Sequence, residues 1–371
     1  MSSIVNASDY LAQMTGGVAD HLWFQKNGQL SGAAATALIA GLEATLFRYE
    51  GTPDANSGIG TTATNPSNTS LGSLKQADAG GGRQKWLTSL EAFTAQNSSS
   101  TLATGTLVLY DRLVHASGLD GTQTNPQSVM GNTGSGTCTI TIASPAVVSI
   151  TAHGFGIDQQ VKFSTTGTLP TGITAGTTYF VISTGYTANS FSISTTHGGS
   201  AVNTSGSQSG THTVTGQLAV SLTRQTDGPG VEIWLEILTQ IGATPTTVQA
   251  AYTDESSNSS TTQSTTLGGT SYREKTRLIR LPRGSGDKGV LVCDSITLAG
   301  STGTAGNICV VLAKPLVELE ILFGGVVAAK NLMQGQPSPI EIVAGACLTF
   351  NWIPRTTAVP NVSGFLHMVE K

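Results

Sequence analysis

The 371-residue chain has little charge: 11% of its residues are Asp, Glu, Lys or Arg, against about 25% in an ordinary globular domain. So little charge excludes coiled coils and salt-laced helical repeats, whose flanks need ionic partners. A net charge of −4 with no long charge run argues against nucleic acid as the main partner. Long apolar runs are also missing. The longest, Ile321 to Ala329, is broken by Gly324 and Gly325 and falls well short of the ~20 residues that span a bilayer, so no membrane partner is expected. The opening MSSIVNASDYLAQ lacks a basic stretch followed by an apolar one, so no secretory signal is expected. Cysteine is scarce. Cys138, Cys293, Cys309 and Cys347 form no CxxC pair, and the last three sit in apolar runs, so buried thiols are expected rather than a disulfide framework.

Chemistry-bearing motifs are equally thin. The six histidines are scattered, with no HExxH, no zinc spacing and no EF-hand loop nearby. His153, in TAHGFG, suits a turn. GNTGSGT and AGGGRQK are glycine-rich but miss the Walker pattern. No serine fits a GxSxG elbow. Neither a cofactor nor an enzymatic activity is expected.

What the chain does contain is Thr, Val, Ile and 45 glycines, the makings of many short strands joined by turns. The fold class expected is mainly β: a jelly-roll-like antiparallel sandwich, an inserted small Ig-like β domain, and a partly helical, extended N-terminal arm. Residues 1–84 form that arm. Leu38, Leu42 and Leu46 recur at helical spacing between Ala33 and Tyr49, with Ser31 as cap. A weaker helix is expected from Asp9 to Met14. The polar stretch from Gly51 to Gly82 is too poor in large apolar groups to fold alone, but could order against a partner. Residues 85–135 begin the sandwich. Lys85 to Ala95 reads as either strand or helix, and Thr106 to His115 as a clear strand. Residues 136–216 form the insert, with alternation at Cys138, Ile140 and Ile142, at Val148 and Ile150, at Val161 and Phe163, at Tyr179 and Val181, and at Phe191 and Ile193. Its glycine- and serine-rich flanks read as hinges. Residues 217–371 complete the sandwich. Pro282, Pro315, Pro337, Pro339 and Pro354 sit at strand edges, where a missing N–H does least harm.

Two clusters are candidate sites. Glu232, Trp234 and Glu236 share one strand face, and a Trp between two acids could hold a glycan. The acids lie about 13 Å apart at ~3.3 Å per residue, beyond the separations used in glycoside hydrolysis. A solvated or interface face is the plainer reading. In SYREKTRLIRLPRGSGDKG, Arg273, Lys275 and Arg277 share a strand face, with Arg280, Arg283 and Lys288 nearby. This cluster suits a subunit contact, or a solvated face paired internally with Glu274 or Asp287. Packaged DNA is the weakest alternative.

Two sets of motifs resemble a known class. AHGFG from Ala152, VKFSTTGTLPTGITAGTTYFVI from Val161 and NSFSIS from Asn189 resemble a small β module that recurs in tailed-bacteriophage virion proteins. YDRLVHASGLDGT from Tyr110, GPGVEIWLEI from Gly228 and REKTRLIRLP from Arg273 resemble stretches of phage head-associated β proteins. The resemblance implies a virion structural protein, assembled in the host cytoplasm, that packs against other virion proteins and against copies of itself. The expected role is capsid decoration, cement or minor head protein. The alternative is a tail fibre or baseplate protein that binds host surface glycans. A depolymerase and a major shell protein are the remaining options.

Overall fold

The computed structural model describes residues 18–30, 38–56, 58–95, 102–332 and 339–371. Every regular element among them is a strand. In chain order these are β1 (Val18–Leu30), β2 (Ala44–Thr45), β3 (Tyr49–Thr52), β4 (Lys85–Ala95), β5 (Gly105–Leu119) and β6 (Gln127–Ser128). An inserted set follows: β7 (Ser135–Ile140), β8 (Val148–Ser149), β9 (Gln160–Thr165), β10 (Thr178–Thr187), β11 (Ser190–Ser194) and β12 (His212–Gly216). The chain then resumes with β13 (Glu232–Thr239), β14 (Thr246–Asp254), β15 (Ser259–Thr261), β16 (Thr265–Leu267), β17 (Leu278–Leu281) and β18 (Val290–Leu298). Last come β19 (Asn307–Ile321), β20 (Ala328–Asn331), β21 (Ile340–Ile342), β22 (Leu348–Pro354) and β23 (Asn361–Glu370).

The central sheet runs β17-β13-β19-β5-β22-β2. Its spine is the pair β5 and β19, each long enough to serve two cores. Leu107 and Leu109, with Val317, Leu319 and Ile321 across the ladder, enter a core shared with a second sheet, β20-β4-β23-β1-β3. An irregularity between Leu312 and Ala313 pairs Val114 with Leu312 but Arg112 with Ala313, so Leu113 is an extra residue. Such a bulge resets which side chains point inward. Val114 and Ala116 therefore join Val310, Leu312, Ile233 and Leu235 in another core, shared with the sheet β15-β14-β18-β6. Two sheets thus lie side by side on one face of the central sheet. Pro315 lies inside β19, not at a strand edge, and is tolerated because the ladder is irregular between it and Val317.

The inserted strands form a closed barrel, β10-β11-β8-β7-β12-β9, around Cys138, Ile140, Val148, Val161, Phe163, Tyr179, Val181, Phe191 and Ile193. An Ig-like sandwich would keep two separate sheets; here one ring of pairing replaces them. The flanks expected as hinges are hydrogen-bonded. Ser135 pairs with Thr215, and Gly216 N–H donates to Gly134 O at 2.8 Å. The barrel also bonds to the β6 segment, where Ser128 N–H donates to Ile157 O at 2.8 Å and Ile157 N–H to Pro126 O at 2.7 Å.

Among the described residues the helical arm is not found. Residues 38–48 are turns, irregular backbone and the short strand β2, with Gly41 in the left-handed region at φ +79°. Leu38 and Leu46 are buried in the core as expected of apolar residues, but from an irregular segment. Ser31, the first turn of that predicted helix, and Asp9–Met14 lie outside the described residues. The polar stretch after Gly51 is laid along the chain's own sheets. Thr64 bridges His115, Leu74 N–H donates to Leu348 O, and Asn65 Nδ2 donates to Leu113 O and Ser221 O. Its backbone groups, too polar to bury unaided, are satisfied in this way.

Candidate functional site

The opposite face of the central sheet collects the residues singled out by sequence. Strand pairing places Trp234 beside Arg280 on β17 and Val311 on β19, and Glu236 beside Leu278 and Cys309. Period-2 alternation does put Glu232, Trp234 and Glu236 on one face, but that face is covered. Trp234 and Glu236 are both 0% exposed. Trp234 packs edge-on against Tyr110, with ring centroids 4.8 Å apart, and donates its indole N–H to Glu232 Oε2 at 2.8 Å. Neither Trp234 nor Glu236 can touch a glycan at the surface, so the expected glycan contact is corrected. Glu232 remains partly exposed, at the rim.

Glu236 answers a charge from β5. Its Oε2 accepts from Arg112 at 2.8 Å, and both side chains are fully buried. Arg112 also donates Nε–H to His115 Nδ1 at 3.1 Å and stacks over Phe47 at 4.1 Å. The neighbouring carboxylate holds the guanidinium firmly charged despite its burial. Glu236 Oε1 has no hydrogen-bond partner among the described residues. His115 is held neutral: burial, then the Arg112 charge, lowers its pKa to about 3. Burial also raises Tyr110 above the usual phenol range. The arrangement is a buried ion pair walled by aromatics and opening onto no cleft.

The basic cluster is dispersed. Residues 273–276 form a bend and turn before β17, so Arg273, Lys275 and Arg277 do not share a strand face. Thr276 adopts φ +76°, a strained conformation for a β-branched residue. Arg273 pairs with its neighbour Glu274 at 3.0 Å. Arg277 is buried and donates to Ser271 O at 2.9 Å. Arg280 grips Glu43 with two bonds, 2.7 and 2.9 Å, and lies 4.8 Å over the Trp234 ring. Arg283 donates to Val231 O. Lys275 is half-buried and forms no ion pair among the described residues. Most of these cations are therefore spent within the chain, which matches the internally paired alternative more closely than an open subunit contact. An open cleft of about 390 Å³ remains beside Glu232, Arg280, Arg283 and Asp287. Asp287 is occupied there by hydroxyl donors from Tyr252 and Ser260.

All four cysteines are free and buried. Burial pushes Cys138 up to about 11, and Cys309 and Cys347 to about 12, so they stay thiols and pack as small hydrophobes. His153 does hold a turn: its Nδ1 accepts Phe155 N–H at 3.0 Å. Among the described residues no three His, Cys, Asp or Glu side chains gather as a metal site. No described helix is long and apolar enough to cross a membrane.

Sequence reading missed two surface features. One is the tip between β19 and β20, where Leu322, Phe323, Val326 and Val327 are 47–71% exposed. The other is the outer face of the β1-β23-β4 region, where Trp23 and Phe365 are half-exposed. Alternation in HLWFQ and GFLHM would have pointed to the second, had residues 18–30 been read as a strand. Comparison of the chain with protein-family models, curated proteins and solved structures finds no match.

Proposed function

We propose that this chain is a structural component of a tailed-phage particle, a capsid decoration, cement or minor head protein that works by packing against other polypeptides. The observation that carries the reading is the exposed apolar tip, Leu322, Phe323, Val326 and Val327, set on an all-β body. Clustered exposed apolar groups of this kind mark protein contacts. The tip flanks an open cleft of about 180 Å³, whose other lining residues are Glu320 and Ala328. In this reading the β body and its tip meet the shell, and the inserted barrel faces away. The motif resemblance to virion proteins supplies the particle; the low charge suits contact by shape and apolar area rather than by charge. Association with further copies of the chain belongs to the same proposal.

The test is location. Antibody raised against the chain is applied to purified particles and to separated heads and tails. The chain is expected in the head fraction, with gold label on the capsid. Label on the tail would instead favour the fibre or baseplate alternative, and absence from the particle would end both.

A further inference from the structure

We propose that the outer face of the β1-β23-β4 region is a binding platform for a neutral carbohydrate chain. The argument begins with register. Trp23 on β1 lies opposite Phe365 on β23, which lies opposite Glu91 on β4. In the next row His21 lies opposite His367, and His367 opposite Ser89. Phe24, Leu366 and Leu90 alternate with these residues and are buried in the core, so the rows face outward. Directly opposed side chains stand about 5 Å apart at Cβ. Two large aromatics therefore sit side by side at the middle of a sheet, 45% and 44% exposed. The other three tryptophans are 7% exposed or less.

The surroundings of those rings are polar and hydrogen-bonding. His21 and His367 share a hydrogen bond between their Nδ1 atoms. The His367 ring stacks on Phe365, with centroids 6.1 Å apart and planes at 27°. Its Nε2 is buried beneath the face and has no hydrogen bond among the described residues; Glu91 Oε1 stands 3.8 Å away. Burial and the neighbouring imidazole lower the His367 pKa, which disfavours a positive charge there.

These features select among occupants. An apolar partner, such as the same face of a second copy, would strip water from the Glu91 carboxylate and the exposed His21 ring without replacing its hydrogen bonds, which costs free energy. An anionic ligand would meet the Glu91 carboxylate and, among the described residues of these rows, no fixed cation. A pyranose offers what the face needs: a C–H face to lie on Trp23 and Phe365, and rim hydroxyls that donate to Glu91 and hydrogen-bond the exposed His21 ring. Aromatic rings that present an apolar body beside polar groups are suited to such mixed ligands. The inference does not rest on the assignment to a phage particle.

The full chain is titrated with cellohexaose, maltohexaose and hexa-N-acetylchitohexaose, and with hexagalacturonate as the anionic counterpart. Trp23 is the exposed tryptophan, so acrylamide quenching of tryptophan fluorescence reports on it. At least one neutral hexasaccharide, at about 10 mM so that a millimolar binder is mostly loaded, is expected to protect Trp23. Calorimetry is expected to show affinity falling about ten-fold or more in Trp23→Ala and in Phe365→Ala, the loss of one stacking contact, and falling in Glu91→Ala, with sheet circular dichroism unchanged. Three results would overturn the proposal: protection by none of the neutral sugars, protection only by hexagalacturonate, or undiminished affinity in Phe365→Ala. Trp23 shielded without sugar, in step with dimers seen by sedimentation, would also overturn it in favour of a second copy.

Discussion

At Glu236 a carboxylate sits beyond the reach of solvent and is answered by Arg112 at 2.8 Å. Removing one member of such a pair strands the other, so Glu236→Ala is expected to cost roughly 3–5 kcal/mol in urea unfolding. Replacing both together, as Arg112→Met with Glu236→Leu, should recover most of that loss, because the desolvation of both charges is relieved. His115 and Lys26 add a pH dependence whose sign is fixed. Native His115 titrates near 3 instead of 6.5, so the unfolded chain binds a proton that the native chain refuses. Stability should fall as pH drops from 6.5 toward 3. Lys26, buried and donating to Tyr49 O and Pro53 O, is lowered by burial from 10.5 to about 7. The same logic makes stability rise as pH climbs through that interval. Denaturation midpoints across both windows check this, and His115→Gln should flatten the acid limb. Of this chemistry the sequence revealed only the spacing. Alternation in VEIWLEI identified which side chains share a face, but a face covered by Phe47, Tyr110 and Arg280 reads the same as an open one.

The strands themselves were largely legible, since period-2 alternation is a local property. Thr106–His115 lies within β5, and most of the apolar residues marked in the insert form the barrel core, while Ile150 only packs against it and Ile142 is 47% exposed. Local signals misled where tertiary contacts overrode them. Leu38, Leu42 and Leu46 have helical spacing, yet the segment turns at Gly41 and then bridges, through Ala44 and Thr45, to Trp352 and Asn351. The strand β1 was missed because residues 1–84 were read as a partly helical, extended arm. The bulge at Leu113 was illegible, because it exists only in the match between β5 and β19. Gly364 on β23 shows how tight such matches are: a Cβ there would stand 1.9 Å from Glu91 O and 2.7 Å from Phe24 Cζ. Backbone cannot yield as a side-chain tip can, so Gly364→Ala is expected to destabilise by about 1–3 kcal/mol or more, read as a lowered thermal midpoint.

On the scale of the whole molecule, the barrel stands out as a separable unit. It has its own core, and its first and last strands are paired neighbours. Replacing residues 135–216 by a short link should leave the three remaining sheets folded, and the excised barrel should fold alone; circular dichroism and amide dispersion in NMR spectra check each half. The tip offers the complementary test of the proposed role. Phe323→Asp with Val327→Asp should leave the isolated chain folded, since both side chains face solvent, and should sharply reduce its incorporation into particles, measured by immunoblot of purified virions. The glycine-rich flanks of the barrel, which runs from β7 to β12, were visible in the sequence. Its closure into a ring was not, since closure depends on which distant strands pair.

The adjacency of Ser135 and Thr215 carries a consequence for descent. A unit that departs from its host and rejoins it at a single spot can be gained, discarded or traded by recombination, with compensating change concentrated on the β6 segment that it also bonds. Kindred proteins are therefore expected to differ by the wholesale presence or absence of this cassette, rather than by its gradual erosion.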